Sequence, residues 1–310
     1  MFKLLHAGFH RYFKNLMFWI GLAATFICGL ICSIFSRELY LEDVYILAEI
    51  VIIAVVISWI VGREFDDGII KNKIIVGHKK IIIFLSEIIL GVMVCLIYFS
   101  IFSILMAIFN GYIFGVVPIN VLVRIFINFL LVNICYTIIF ITICCLVPHR
   151  AIISTINILL VIMLMFLSNS LDTSLTQPEF FVEYDYEYAE VVDKYGNVHL
   201  TLIEVEGSEK YTKNDKYLSG AKRTIAKTIY SILPSSHIIF NTSLLYVNFG
   251  YNYYENFPYN DLTYETSESS KFEISDEYNK LLSLNLINSF ILPIIITVIG
   301  MVLFRKKDFK

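Results

Sequence analysis

The chain has 310 residues, of which 57% are hydrophobic and only 16% are charged. Its mean hydropathy is +0.72 and its formal net charge is −3. This composition excludes an ordinary soluble globular domain and indicates a polytopic membrane protein. We expect no nucleic-acid partner.

Six apolar runs predict an all-α polytopic fold with six transmembrane helices. A span needs roughly 20 apolar residues to cross about 30 Å of hydrocarbon. The runs cover 16–35, 44–62, 81–109, 116–147, 151–167 and 284–304.

Ahead of the first run, residues 1–15 predict an interfacial amphipathic helix. A plain extension of the first span is the alternative. The layout that follows places spans one to five within 16–167 and the sixth span at 284–304.

The distribution of basic residues predicts the orientation of these spans. Of the 24 Lys and Arg residues, 13 lie in the N-terminal segment, the second and fourth connections and the C-terminal tail. Short basic segments stay on the cytosolic side of a membrane. We therefore expect a cell-membrane protein with both termini, the loop 62–82 and the tail 305–310 in the cytosol.

The long connection 168–283 is predicted to be an extracellular α+β insertion between helices 5 and 6. It holds 18 of the 27 Asp and Glu residues. Strict alternation over 182–188 predicts a strand, and 198–206 predicts a returning strand. Residues 218–233 predict a helix, and 250–280 are expected to be irregular.

The sequence offers no motif for catalysis, a cofactor or a metal. No GxxxxGK[ST] is present, so the chain cannot hold nucleotide phosphates in a P-loop. His6 and His10 share a helix face, but they lie on a basic helix without a carboxylate partner. All six cysteines fall in the predicted spans, where small apolar packing explains them. We expect a protein that is not itself an enzyme.

Ionisable residues near the predicted spans lie toward the span ends, as Glu87 and Arg124 do. A proton- or ion-driven carrier usually places ionisable residues at mid-membrane. The lack of such residues disfavours a self-powered carrier and predicts that a partner supplies the energy.

Residues 61–87, called the 61–87 loop below, contain the connection after the second span and join an acid-rich turn to a basic amphipathic helix. The charged residues of this turn and helix are Arg63, Glu64, Asp66, Asp67, Lys71, Lys73, Lys79 and Lys80. A plain connector needs only a few turn residues, so this pattern indicates a surface for a cytosolic protein. The alternative is that the charges only hold the loop at the inner membrane surface, but an acidic turn is poorly suited to anionic headgroups.

Three segments resemble the ABC-2 type transporter permease family, as found in its Firmicute members. They are Glu64-x-x-x-Gly68-Ile69-x-Lys71-Asn72-Lys73 with Gly77-His78 following, the tail Gly300-x-x-x-Phe304-Arg305-Lys306-Lys307-Asp308-Phe309, and Tyr217-Leu218-Ser219-Gly220-x-Lys222-Arg223 leading to Leu233-Pro234-Ser235. Glu87 departs from the family pattern, in which a basic residue follows Ser86.

This resemblance implies the permease subunit of an ATP-binding cassette transporter. Such a subunit exports a hydrophobic or amphipathic substrate (a peptide, lipid or drug) using ATP hydrolysed by a separate ATPase chain. The implied partners are that cytosolic ATPase, a second permease copy (identical or a sister chain) and membrane lipids. The implied coupling residues are Arg63, Glu64, Phe65, Asp66, Asp67 and Gly68.

A second hypothesis is a membrane sensor or immunity component. Its extracellular domain would bind a peptide and signal through a cytosolic partner.

Overall fold

The computed structural model describes residues 1–39, 42–109, 119–147, 149–192, 198–205, 209–242 and 276–307. Within this part the chain is mainly α-helical. The predicted connection 110–115 and most of the predicted irregular stretch 250–280 lie outside the described residues.

Two helices at the N-terminus meet at a bend. Helix α1 (Phe2–Lys14) and helix α2 (Leu16–Leu39) are separated by Asn15, whose backbone is extended. The side-chain Oδ1 of Asn15 accepts a hydrogen bond from the N–H of Met17 at 3.0 Å, which caps the start of α2. The two helices differ in direction by 64° over Phe2–Lys14 and Leu16–Ile31.

The remaining helices include the main candidates for membrane crossing. They are α3 (Glu42–Asp66), α4 (Ile69–Ile75), α5 (Lys80–Phe109), α6 (Ile119–Leu146), α7 (Arg150–Thr176), α8 (Gly220–Ile232), α9 (234–242) and α10 (Asp276–Lys306). In the described part of the chain, α3, α5, α6, α7 and α10 each contain a stretch long and apolar enough to span a membrane. The bent pair α1–α2 makes a sixth span if it is counted as one crossing. The chain is therefore a multi-pass helical membrane protein, with five to six such helices among the residues that the structure describes.

The core lies where α3, α5 and α6 pack together. Ile53, Ile57, Phe84 and Phe140 are fully buried there. Outward-facing side chains of the spans are apolar as well, and Phe166 on α7 is 73% exposed. A bilayer favours this arrangement, since lipid tails solvate apolar side chains that water would not.

Helix α3 approaches the start of α7 through a glycine. A Cβ atom built on Gly62 would lie 2.8 Å from Cβ and 3.0 Å from Cα of Arg150. Because the Cα atom belongs to the backbone, the neighbour cannot move aside by changing a rotamer. Gly62 therefore permits this close approach.

Residues Asn169–Tyr230 form a compact unit of their own. Strand β1 (Phe180–Glu183) pairs antiparallel with β4 (Lys210–Lys213), and β2 (Tyr186–Val192) pairs antiparallel with β3 (Val198–Glu204). The single strand predicted over 182–188 is thus interrupted at Tyr184 and Asp185. The interruption coincides with an ion pair, in which the ammonium of Lys210 lies 2.9 Å from the carboxylate of Asp185.

Helix α8 is held within the same unit by polar contacts. Arg223 lies over the ring of Tyr217 at 4.6 Å and donates a hydrogen bond to the carbonyl oxygen of Leu175 at 2.9 Å. The hydroxyl of Tyr230 donates to Asp172 at 2.7 Å. Both acceptors lie near the end of α7, so these bonds fix α8 beside that end.

A buried group of polar side chains joins α6, α9 and α10. The imidazole Nε2 of His237 lies 3.0 Å from the carbonyl oxygen of Ser231, and Nδ1 lies 2.6 Å from the hydroxyl of Ser289. Ser289 in turn donates to the amide oxygen of Asn128 at 2.8 Å. These contacts hold the described part of α9 against α6 and α10.

Candidate functional site

The loop between α3 and α5 is a compact helical element rather than an extended connector. Gly68 has a φ of +69° and Gly77 a φ of +97°, a left-handed conformation that glycine adopts without steric penalty. Gly68 separates α3 from α4, and Gly77 follows the end of α4. The N–H of Asp67 donates to the carbonyl oxygen of Arg63 at 2.8 Å, and that of Gly68 to Phe65 at 3.1 Å.

A network of ion pairs ties this loop to three neighbouring helices. The ammonium of Lys73 on α4 lies 2.6 Å from a carboxylate oxygen of Glu64 on α3 and 2.6 Å from one of Glu87 on α5. Arg11 on α1 lies 3.2 Å from the other oxygen of Glu64. The hydroxyl of Tyr12 donates to Glu87 at 3.2 Å. We call these five residues the bracing network.

The bracing network is buried, and its charges balance. Glu64 is 4% exposed and Glu87 is fully buried, so each carboxylate requires a partner charge or hydrogen bonds. Burial alone would lower the pKa of Lys73, but the carboxylates of Glu87 and Glu64 outweigh it and raise that pKa. Lys73 therefore stays charged at neutral pH between the two carboxylates.

The structure divides the six predicted coupling residues by exposure. The side chains of Arg63 and Asp67 are 55% and 49% exposed and pair with each other at 3.1 Å. Asp66 is 33% exposed and lies 3.5 Å from Arg150. Glu64 faces inward, so the surface that this turn presents is formed by Arg63, Asp66 and Asp67.

Phe65 and Gly68 contribute to the packing and to the backbone conformation of the turn. The ring of Phe65 packs edge-on against that of Phe304 at 6.4 Å, and the ammonium of Lys307 lies 4.8 Å above the Phe65 ring. Gly68 supplies the left-handed backbone that lets α4 begin directly after α3.

The C-terminal tail packs against the same loop. The ammonium of Lys80 donates to the carbonyl oxygen of Lys307 at 2.5 Å, and that of Lys307 donates to the carbonyl oxygen of Cys145 at 2.8 Å. Phe304 is fully buried, with its ring 5.6 Å from that of Phe84. Two of the three segments that carry the family resemblance therefore lie in contact.

Sequence reasoning missed part of the bracing network. The sequence pattern does not connect Arg11 and Tyr12 to the loop, and it does not distinguish Lys73 from the exposed lysines of the loop or indicate that Glu87 pairs with it. An acid at position 87, inside an apolar run, is the signal that could have revealed the network, because such an acid needs a partner. Lys73 and Glu87 lie on different helices with a turn between them. Helical periodicity therefore could not have predicted that they pair.

Glu49 is a buried acid near the start of the second predicted span. Glu49 lies within the apolar stretch Ile46–Asp66 and is 2% exposed. Among the described residues, neither of its carboxyl oxygens has a hydrogen-bond partner. Glu49 is the sixth residue of the predicted run 44–62, so it lies toward one end of that span, and the lack of mid-membrane ionisable residues stays a prediction.

A cavity of about 280 Å³ opens beside the bracing network. It is lined by Arg11, Lys14, Asn15, Ile60, Arg63, Glu64, Asp67 and Ile69. The cavity thus lies between the end of α1 and the end of α3.

Neither a family model nor a curated protein matches this chain. In the described part of the chain, no three His, Cys, Asp or Glu side chains are grouped closely enough to hold a metal ion. The features of the described residues that bear on function are therefore the loop, its bracing network and its exposed charges.

Proposed function

We propose that this chain is the permease subunit of an ATP-driven exporter in the cell membrane, with a separate ATPase bound at the 61–87 loop. The supporting observation is the bracing network, which joins α4 to α1, α3 and α5 through buried ion pairs. A loop that only connects two spans does not need such fixing.

The exposed surface of the loop has the composition of a protein-binding site. Asp66 and Asp67 are exposed at the turn, while Ile75 and Val76 at the end of α4 are 80% and 77% exposed. Exposed apolar side chains next to charges are typical of protein interfaces. We infer that the ATPase contacts both groups, with the loop in the cytosol.

The network also offers a mechanism for coupling. Force applied to α4 by the ATPase passes through Lys73 to Glu64 on α3 and to Glu87 on α5, so the two spans move together with the loop. Two permease copies, identical or sister chains, would move against each other and pass a hydrophobic or amphipathic cargo between them. In this proposal both termini are cytosolic.

A charge-reversal experiment tests the proposal. The tagged full-length chain is purified from its native membranes with its bound partners, and ATP hydrolysis of the preparation is measured in liposomes. We expect Asp66→Lys with Asp67→Lys to lower the bound ATPase activity at least tenfold, because repulsive charges at an interface cost several kcal/mol. Glu187→Lys, an exposed acid on β2, is the matched control and should leave the activity unchanged.

Two results would oppose the proposal. One is a wild-type preparation that hydrolyses no ATP. The other is the same activity in the double variant and in the control.

A membrane sensor is the second candidate, and one feature of unit Asn169–Tyr230 favours it. The strands expose aromatic side chains, among them Phe180 at 46%, Tyr188 at 73% and Tyr211 at 64%. Exposed aromatic side chains on strands suit an extended peptide that pairs with a strand edge. A sensor would bind the partner chain but show no cargo movement in the same liposomes.

A further inference from the structure

The cavity beside the bracing network carries an unbalanced positive charge. Of its three cations, Arg11 is paired with Glu64 at 3.2 Å and Arg63 with Asp67 at 3.1 Å. Lys14 is exposed and makes no hydrogen bond or ion pair with any described residue. The cavity therefore attracts an anion, and Lys14 is the free cation in its lining.

The paired cations retain donors that could face a ligand. Arg63 contacts Asp67 through Nε, and its two terminal nitrogens have no partner among the described residues. The amide oxygen of Asn15 caps α2, whereas its Nδ2 has no acceptor in the described part of the chain. Planar guanidinium groups suit phosphate oxygens, and an ammonium adds a point charge.

An exposed apolar surface begins directly beside the cavity. Asn15 lines the cavity, and Leu16, the next residue, is 71% exposed. Trp19 and Ile20, one turn further along α2, are 51% and 50% exposed. The indole N–H of Trp19 donates to the carbonyl oxygen of Phe13 at 2.8 Å, so its polar group is satisfied while the ring faces outward. Tryptophan in this situation is typical of the headgroup level of a membrane.

We propose that this cavity binds the phosphate headgroup of an anionic phospholipid, whose acyl chains lie along the start of α2. A cationic cavity that continues into an apolar helix face fits a molecule with a charged head and apolar tails. A free phosphate would use the cations but not the apolar face. The inference does not depend on the proposed ATPase, because it uses only the cavity, its charges and the membrane character of the chain.

The lipid would have a structural consequence for the loop. Arg11 and Glu64 belong to the bracing network and also line the cavity. A bound headgroup would therefore hold α1 against the end of α3 and stabilise the network from outside.

The test measures lipid binding to the full-length protein purified in detergent. Dioleoyl-phosphatidylglycerol is titrated while the melting temperature is followed by circular dichroism, and a binding constant is fitted to the shift. Dioleoyl-phosphatidylcholine and inorganic phosphate are titrated in parallel. We expect phosphatidylglycerol to raise the melting temperature at concentrations where the other two do not.

Three variants make the test specific to the cavity. Lys14→Gln should weaken phosphatidylglycerol binding about fivefold, the equivalent of about 1 kcal/mol for one basic residue near anionic lipid. Lys14→Glu should weaken it further. Lys3→Gln removes an exposed lysine from the same helix outside the cavity, and it should change binding less than twofold.

Three outcomes would overturn the inference. The first is equal stabilisation by phosphatidylglycerol and phosphatidylcholine. The second is equal stabilisation by inorganic phosphate, which would make the site one for free anions. The third is an equal effect of Lys14→Gln and Lys3→Gln, which would mean that only the general charge of α1 attracts the lipid.

Discussion

At the scale of single residues, Lys73 shows that a buried charge can have a different role from exposed charges of the same loop. The sequence presents it as one of several lysines in a basic loop. In the structure its ammonium lies between two buried carboxylates, 2.6 Å from each. Its neighbours on the loop surface can interact with headgroups or a partner protein, whereas Lys73 holds the loop together.

Removing Lys73 should therefore destabilise the protein strongly. Lys73→Met leaves Glu64 and Glu87 buried with one fewer cation, and we expect a loss of about 3–5 kcal/mol, the usual effect of breaking a buried ion pair. The measurement is thermal unfolding in detergent followed by circular dichroism. Lys79→Met, at an exposed lysine of the same loop, is the control and should change stability by less than about 0.5 kcal/mol.

Charge balance makes a further prediction for the same site. The double variant Lys73→Met with Glu87→Gln removes one charge of each sign and leaves the Arg11–Glu64 pair intact, so it should be more stable than Lys73→Met alone. The destabilisation of each variant is measured relative to wild type. If the destabilisation of the double variant equals the sum of those of Lys73→Met and Glu87→Gln, the network does not act as a unit.

His237 predicts a pH dependence of stability. Its burial lowers the pKa of the imidazole below the ordinary value of 6.5. As the pH drops below about 6.5, His237 is protonated more readily in the unfolded chain than in the folded protein, so the free energy of unfolding falls. The loss is at most about 1.4 kcal/mol per pH unit.

The comparison that isolates this effect is between wild type and His237→Gln, melted at pH 7.5, 6.5 and 5.5. We expect the melting temperature of wild type to fall more steeply with acidification than that of the variant. Parallel curves would mean that His237 is not the residue whose protonation opposes folding.

At the scale of helices, the bundle depends on a few positions where backbones approach closely. Gly62 is the clearest, because a methyl group there would contact the backbone of Arg150 as well as its side chain. Hydrophobicity along the chain predicts where helices lie, but it does not indicate which face of α3 meets α7. The contact between α3 and α7 depends on glycine at position 62, because glycine has no side chain that would separate the two helices.

Gly62→Ala should destabilise the protein by about 1–3 kcal/mol, the usual range for overpacking, although alanine favours a helix over glycine. Gly29→Ala in α2 is a matched control, since the nearest atom there is the flexible Cδ1 end of Leu105 at 2.7 Å. The stabilities of both variants are compared with that of wild type by thermal unfolding. A Gly62→Ala protein as stable as the control would show that α7 can shift away from α3.

The helices themselves were largely predictable, and the irregular contacts were not. Apolar runs predicted the spans because a bilayer requires long apolar helices. The bend at Asn15 and the interruption at Tyr184 and Asp185 depend on local polar contacts that hydropathy does not register. Glu49 was visible in the sequence as an acid inside an apolar run, but its lack of a described partner emerges only from the packing.

At the scale of the whole molecule, the proposed function depends on the charges of the 61–87 loop. The sequence predicted a docking surface there from the mixture of acids and lysines. The structure separates that mixture into a buried bracing network and an exposed surface of Asp66, Asp67, Ile75 and Val76. The separation could not be predicted, because Glu64, Lys73 and Glu87 come from three helices joined by turns.

The central claim is that an ATPase binds this exposed surface, and photo-crosslinking tests it most directly. Benzoylphenylalanine is placed at Val76 of the full-length protein in living cells, and at Glu187 as the control, and the cells are irradiated. We predict that Val76 forms a product whose second chain carries a GxxxxGK[ST] nucleotide motif, and that Glu187 forms no such product. A product with no nucleotide-binding chain at Val76, or the same chain at both positions, would contradict the claim.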